Sequence, residues 1–137
     1  MNGRAFPIQE RGDVVAVSSR ARRLARELGL GSRRADELAI VVSELASNIV
    51  KHGIRGEIVL AFDSSEIAVE ARDVGPPIRD FQLAATDHYD DQGPIDPALI
   101  LRRRGLGTGL GAVFRFADRV EYQEETGGKT ITARFFR

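Results

Sequence analysis

Residues 32–53, SRRADELAIVVSELASNIVKHG, constrain the fold more than any other stretch because they have the pattern of one long amphipathic helix. The apolar residues of this stretch recur at helical spacing and form one stripe, which consists of Leu38, Val42, Leu45 and Ile49. Ser32 is a suitable N-cap for such a helix, and Gly53 is a suitable C-cap. The sequence therefore predicts a long helix whose apolar stripe packs on the core.

Two polar residues of this helix, Glu44 and Asn48, are four positions apart and therefore share one face. At about 100° per residue, that face lies roughly 80–120° from the middle of the apolar stripe, at the edge of the core. A carboxylate and an amide held there can act as a base and a metal ligand in the wall of a pocket. The same pattern is also typical of the polar flank of an ordinary amphipathic helix.

Composition limits the classes of protein to which the chain can belong. Its 137 residues, 42% hydrophobic and 29% charged, suit one globular domain with a proper core. A net charge of zero gives no electrostatic case for binding nucleic acid or an anionic membrane. Without cysteine there is no disulfide framework and no thiolate zinc site. No apolar run approaches the ~20 residues of a membrane span, and the first residues lack the apolar core of a signal peptide. A cytoplasmic location is therefore expected.

The remaining periodicities predict a single α+β domain over residues 1–137. A short strand is expected at residues 5–10, and a helix at residues 13–28 with Asp13 as its cap. After the long helix, strands are expected at residues 57–63, 66–72, 119–125 and 129–137, with a third helix ending near residue 118. Long hairpins and few crossovers indicate helices layered on one face of a largely antiparallel sheet.

Residues 74–104 interrupt this pattern and hold four of the five prolines together with the acidic stretch DHYDDQG. A long insert of this kind in a compact domain is commonly a lid or a binding loop, so these residues are predicted to form a lid. The pattern allows one short helix at about residues 80–85. His88, Asp90 and Asp91 are candidate metal ligands, although a solvated segment is the commoner explanation of such a cluster.

A glycine-rich run at residues 105–111, GLGTGLG, precedes the third helix. It lacks the Gly-Lys-Ser/Thr ending of a P-loop and does not follow a strand, as a dinucleotide fingerprint would. Its glycines still allow backbone amides to approach an anion, the next helix offers its positive end, and Thr108 can add a hydroxyl. The run therefore indicates phosphate contact, with a flexible hinge as the alternative.

Asp73 ends a predicted strand and is followed at once by a turn that contains Gly75. A carboxylate at such a strand end can accept a hydrogen bond from an exocyclic amine. An aspartate that only forms a turn is also very common at such a position, so Asp73 alone does not decide between the two.

Taken together and in this order, these segments resemble the GHKL ATP-binding family, which includes the ATPase domains of histidine kinases. The segment SELASN at residues 43–48 resembles the N-box of the family. The segment DVG at residues 73–75 resembles the start of its adenine-binding Asp-x-Gly-x-Gly motif, and residues 105–111 resemble its second glycine box. Within the family, the chain is most similar to the small serine kinases that regulate bacterial sigma factors, first the RsbT type of stressosome switch kinase and next the RsbW type.

The resemblance implies the histidine-kinase-like ATPase fold, which is a two-layer sandwich with a lid over the nucleotide. It also implies an ATP-dependent protein serine/threonine kinase that uses Mg²⁺ and phosphorylates a STAS-domain regulator. A sigma factor or a serine phosphatase would be a second partner, and homodimers are common in the RsbW type. Carried onto this chain, Glu44 would be the base that orients the attacking serine hydroxyl, and Asn48 would hold Mg²⁺. Asp73 and Gly75 would contact adenine, and the phosphates would lie against Gly105, Gly107, Thr108, Gly109 and Gly111.

One departure from the family pattern keeps other functions open. Pro77 stands where the second glycine of the adenine motif is expected, and proline fixes φ and removes an amide donor. The predicted lid is also long for the RsbT type. A non-catalytic partner-switching module with weak or no nucleotide turnover is therefore the alternative, and an ATPase without a protein substrate is a third hypothesis.

Overall fold

The computed structural model describes residues 1–52, 54–77 and 110–137, and the backbone of residues 89–90 and 93–94. Its helices and strands occur along the chain in the order β1 (Asn2–Ile8), α1 (Arg11–Glu27), α2 (Ser32–His52), β2 (Gly56–Phe62), β3 (Glu66–Asp73), β4 (Tyr89–Asp90), β5 (Gly93–Pro94), α3 (Leu110–Phe116), β6 (Arg119–Glu125) and β7 (Gly128–Phe136). The two-residue strands β4 and β5 pair only with each other in the described part of the chain.

Five strands form one sheet in the order β1-β2-β3-β7-β6, and each of the described pairings is antiparallel. Side chains alternate along each strand, so one face of the sheet carries Ile58, Val69, Ile131 and Phe135, all of them buried. The other face carries mostly polar residues, among them the exposed Arg72. This division confirms the predicted α+β fold, in which the helices cover one face of an antiparallel sheet.

The helix α2 lies at the centre of the core, as its sequence pattern predicts. The four residues of the predicted stripe, Leu38, Val42, Leu45 and Ile49, are all buried, and so are Ala35, Val41 and Ala46. The helix α2 packs against α1, α3 and the inner face of the sheet, so its buried side is wider than one stripe. No helix in the described part of the chain, α2 included, is long and apolar enough to span a membrane.

Two predicted boundaries near the N-terminus are wrong. The strand β1 begins at Asn2, earlier than predicted, because its register with β2 pairs Asn2 with Phe62 and Ile8 with Gly56. Asp13 lies in the first turn of α1 and not at its cap, which is Glu10. The Asp13 carboxylate reaches back to accept hydrogen bonds from the backbone amides of Gln9 and Glu10, at 2.9 and 3.1 Å. It therefore still satisfies free amides at the start of the helix.

The strands β4 and β5 were not predicted and fall within the segment predicted as a lid. The remaining described elements begin and end within about two residues of their predicted bounds, and β6 has the predicted bounds. The short helix expected at residues 80–85 lies outside the described residues, as does most of the predicted lid. The side chains of His88, Asp90 and Asp91 also lie outside the described part of the chain.

Arg34 links the start of α2 to the end of α3 and to β7. Its guanidinium donates to the Phe116 carbonyl at 3.1 Å and to Asp118 Oδ2 at 2.6 Å. The guanidinium also lies over the Phe135 ring, 4.9 Å from the ring centroid. Asp118 Oδ2 in turn accepts a hydrogen bond from the Phe136 amide at 2.7 Å. This group of contacts holds α3 against α2, and Glu44 lies on the helix that it fixes.

We expect Arg34→Ala to lower the free energy of unfolding by about 1–3 kcal/mol, because it removes charged hydrogen bonds from a partly buried site. The matched control is Arg33→Ala, since the neighbouring side chain is 92% exposed. The control should change stability by less than about 0.5 kcal/mol. Urea denaturation measures both changes, and an equal loss in the two variants would contradict a specific role for Arg34.

Candidate nucleotide-binding site

Glu44 is half-buried where α2 meets the start of α3. The backbone amide of Ala112, the residue after Gly111, donates a hydrogen bond to its carboxylate. The other carboxylate oxygen, Oε2, is buried and has no hydrogen-bond partner among the described residues. A buried polar atom without a partner costs free energy, so such an atom in a native protein commonly has a functional reason. Oε2 is therefore an acceptor that no hydrogen bond uses within the described part of the chain.

Burial raises the pKa of the Glu44 carboxyl from 4.5 to about 7, although the hydrogen bond from Ala112 acts in the opposite direction. A base that accepts a proton at neutral pH works best when its pKa lies near that pH. A carboxyl with a perturbed pKa in a partly enclosed position is also typical of a functional site. Glu44 thus has the protonation behaviour that its predicted role as a base requires.

The raised pKa of Glu44 also predicts how stability depends on pH. The folded state retains this proton between about pH 4.5 and 7, whereas unfolding releases it. Stability should therefore fall as the pH rises through this window. Glu44→Gln removes the buried charge and should be about 1–2 kcal/mol more stable than the wild type at pH 8, after allowance for partial exposure. At pH 4.5 the two proteins should be nearly equal in stability.

Thermal and urea denaturation at pH 4.5 and pH 8 measure this difference. Glu27→Gln is the control, because Glu27 lies on the surface of α1 with a side chain that is 64% exposed. If Glu44→Gln and Glu27→Gln show the same pH dependence, the raised pKa of Glu44 is contradicted.

Asn48 lies one helical turn beyond Glu44 on α2 and is partly buried. The next residue, Ile49, packs so closely over Gly56 that a Cβ added to this glycine would lie 2.6 Å from Ile49 Cγ2. Gly56 pairs with Asp73 in the sheet register. The C-terminal half of α2 therefore lies over the strand end that carries Asp73.

Asp73 ends β3 with its side chain only 7% exposed. The described residues donate two hydrogen bonds to its carboxylate, and one oxygen, Oδ1, accepts both of them. The donors are the Gly75 amide, at 2.8 Å, and Lys129 Nζ, at 2.7 Å. The backbone carbonyl of Asp73 packs against Gly128, where an added Cβ would lie 2.6 Å from its oxygen. Asp73 thus lies at the predicted strand end, in a position fixed by its neighbours on both sides.

Lys129, which the sequence pattern did not single out, lies against Asp73. Its side chain is 6% exposed, and its ammonium donates both to Asp73 and to the Pro76 carbonyl, the latter at 2.8 Å. The strand pattern contains the signal that would have identified it. Lys129 lies on the inward face of β7, which it shares with Ile131, Ala133 and Phe135. A lysine among core residues requires a buried anionic partner.

The glycine-rich run is described only at its end. Gly111 lies in α3 and is buried, whereas Gly105, Gly107, Thr108 and Gly109 lie outside the described residues. Within the described ranges, no group of three or more acidic or histidine side chains is arranged to hold a metal ion. The role of Asn48 as a metal ligand stays a prediction.

A cavity of about 520 Å³ also reaches Asp73 and Lys129 but does not include Glu44 or Asn48. It is lined by Pro7, Glu57, Arg72 and Thr130, which form one row across the outer face of the sheet. Because the helices cover the opposite face, this cavity is distinct from the region between α2 and the strand ends.

Glu44 and Asn48 lie on the central helix, and Asp73 lies at a strand end. This order of elements agrees with one known family. Residues 6–135 match the model of the histidine kinase-like ATPase domain. The chain belongs to this family. A curated relative, the serine/threonine-protein kinase RsbT of Bacillus subtilis (strain 168), is 30% identical over 122 residues, which cover 86% of this chain and 84% of RsbT.

A solved structure supports the same fold for this histidine kinase-like ATPase domain. A chain of the SiaB-SiaC complex from Pseudomonas aeruginosa superposes with a TM-score of 0.66, covering 98% of this chain and 89% of that chain. At 15% sequence identity this likeness concerns the fold alone. The family predicted from the N-box and the glycine motifs is therefore confirmed.

Proposed function

We propose that this protein is an ATP-dependent serine/threonine kinase that phosphorylates a STAS-domain regulator in a bacterial partner-switching system. The observation that carries the proposal is Glu44, a half-buried carboxylate with a pKa of about 7 and one oxygen without a hydrogen-bond partner among the described residues. Glu44 shares a helix face with Asn48, as a base and a metal ligand for one reaction would. The similarity to RsbT, which is named as a serine/threonine kinase, supports the same activity.

The described residues fit ATP and Mg²⁺ in their chemistry. Asp73 offers a buried carboxylate that can accept a hydrogen bond from an exocyclic amine, and Asn48 offers an amide oxygen of the kind Mg²⁺ accepts. Mg²⁺, when bound, would neutralise phosphate charge. Gly105, Gly107, Thr108, Gly109 and Gly111 stay in the proposal as the phosphate-binding segment because the run precedes α3, whose Ala112 amide contacts Glu44.

In the proposed reaction, Glu44 accepts the proton of the substrate serine hydroxyl. The hydroxyl oxygen forms its bond to the γ-phosphorus as the bond to the ADP oxygen breaks, and the proton remains on Glu44 until water takes it up. With a pKa of about 7, Glu44 is partly ionised at neutral pH and returns its proton readily. Phosphoryl transfer depends mostly on positioning and charge neutralisation, so few other catalytic side chains are needed.

The partners follow from the proposed class of kinase. A STAS-domain protein would be the substrate, and a sigma factor or a serine phosphatase would be the second partner, in the cytoplasm. The solved structure with the same fold is a complex of two proteins, SiaB and SiaC, which supports a protein partner for this chain as well.

Two measurements test the proposal together. Calorimetry with ATP, in the presence and absence of Mg²⁺, measures nucleotide binding by the full chain. Radiolabelled ATP with a STAS-domain protein from the same genome measures transfer. Mg²⁺-dependent binding with transfer to serine supports the kinase. A non-catalytic partner-switching module would bind the STAS-domain protein without nucleotide and would show no transfer, and this result would overturn the kinase.

We expect the wild type to bind Mg-ATP much more tightly than Mg-GTP, because adenine presents an amine that would donate a hydrogen bond to Asp73, whereas guanine presents a carbonyl at the same position. Asp73→Asn should weaken ATP binding by about 1–3 kcal/mol through loss of a charged hydrogen bond. Asp36→Asn is the control, since Asp36 lies on the solvent side of α2 with a side chain that is 56% exposed. Equal wild-type affinities for ATP and GTP would contradict this role of Asp73.

A further inference from the structure

The pair Lys129–Asp73 is unusual because two opposite charges lie almost completely buried at the end of the sheet. Their side chains are 6% and 7% exposed, and the nitrogen lies 2.7 Å from Oδ1. A buried ion pair is weak evidence of a role in stability, because apolar residues of similar volume often stabilise a fold equally well or better. The inward position of β7 would accept an apolar side chain, as it does at Ile131 and Ala133. The presence of a buried ammonium at this position therefore requires an explanation other than stability.

The contacts of Lys129 converge on the turn that follows β3. Its ammonium donates to Asp73 and to the Pro76 carbonyl, and the Gly75 amide donates to the same Asp73 oxygen. Pro77, the next residue, has no amide hydrogen to give to this turn. One cation on the neighbouring strand β7 thus binds two oxygen atoms of this turn, one in the Asp73 carboxylate and one in the Pro76 carbonyl.

We propose that Lys129 is a positioning residue for base recognition, which rests on the proposed function. By occupying Oδ1 of Asp73 and the Pro76 carbonyl, Lys129 holds the carboxylate in one orientation. The other oxygen, Oδ2, is then the acceptor for the exocyclic amine of an adenine nucleotide. The ion pair is also formally neutral, so an uncharged purine does not have to approach an uncompensated buried carboxylate.

A nucleotide without the exocyclic amine measures this role directly. The wild type should bind Mg-ATP about 10- to 100-fold more tightly than the triphosphate of purine riboside, as expected for one charged hydrogen bond. In Lys129→Met this ratio should fall to about threefold or less, because the carboxylate is no longer held. A merely structural loss would weaken the binding of both nucleotides equally and leave the ratio unchanged.

Arg134→Met is the matched control. Arg134 lies on the same strand, faces the opposite side of the sheet, and pairs with Glu66 at 2.9 Å and Glu121 at 2.7 Å. This variant also loses an ion-paired cation from β7, but it should keep the wild-type ratio.

Reductive methylation of the wild type supplies a test that does not depend on the folding of a variant. The chain has two lysines, and Lys51 is exposed, so it serves as the internal reference. With formaldehyde and a mild reductant, peptide mapping should show rapid methylation of Lys51 and protection of Lys129. Lys129 should remain protected when Mg-ATP is bound, because the nucleotide uses Oδ2 and leaves the ion pair intact.

The outcomes separate this inference from the proposed function. A lower ratio in Lys129→Met together with protection of Lys129 in the Mg-ATP complex supports both. An unchanged ratio in Lys129→Met, or methylation of Lys129 on addition of Mg-ATP, overturns the positioning role while nucleotide binding stands. If the wild type binds neither triphosphate, the proposed function fails and the inference fails with it.

Discussion

Glu44→Gln is expected to lower phosphoryl transfer to the substrate serine by about 10²- to 10⁴-fold, as loss of a general base commonly does. Glutamine keeps the size and shape of the side chain but cannot accept the hydroxyl proton. Binding of Mg-ATP should stay nearly normal, since Glu44 is not a proposed ligand of the nucleotide. Transfer is measured in single turnovers with radiolabelled ATP, and binding is measured by calorimetry on the same preparation.

Two further variants make the result specific. Asn48→Ala should weaken Mg²⁺-dependent ATP binding and transfer together, because it removes the proposed metal ligand. Glu27→Gln should leave both unchanged, because its side chain lies on the surface of α1. If Glu44→Gln transfers phosphate at the wild-type rate, Glu44 is not the base, whatever the family resemblance implies.

Lys129→Met is expected to lower the free energy of unfolding by about 3–5 kcal/mol, since it leaves the buried Asp73 carboxylate without its cation. The loss is large beside the ~5–15 kcal/mol that stabilises a typical domain, so nucleotide binding by this variant should be measured at low temperature. Urea denaturation with the linear extrapolation method gives the value.

The double variant Asp73→Asn with Lys129→Met shows whether the loss comes from the charge or from packing. Removal of both charges should restore most of the stability, to within about 1–2 kcal/mol of the wild type, because no uncompensated ion remains buried. A double variant no more stable than Lys129→Met would show that packing of the lysine stem, and not the unpaired carboxylate, causes the loss.

The amino-acid sequence by itself determined the fold class and most of the secondary structure. The stripe of Leu38, Val42, Leu45 and Ile49 has a period that only a helix satisfies, and all four residues are buried. Alternation in β2, β3 and β7 located strands to within one residue, because the side chains of a strand point in turn to opposite faces. The residues that mark where a helix or a strand begins were less reliable predictors. Asp13 stabilises the first turn of α1 from within the helix, a role that the sequence does not distinguish from capping.

The order of the motifs also sufficed to predict the family, since SELASN, DVG and GLGTGLG occur at intervals that a chance set would rarely reproduce. Only the tertiary structure decided the environment of the side chains within those motifs. The pKa of Glu44 depends on its burial in the folded chain and on a hydrogen bond from the Ala112 amide, which is distant in the sequence. Lys129 lies 56 positions from Asp73 along the chain and meets it only because β7 pairs with β3. Desolvation and ion pairing act through space, so neither is encoded in the local pattern around either residue.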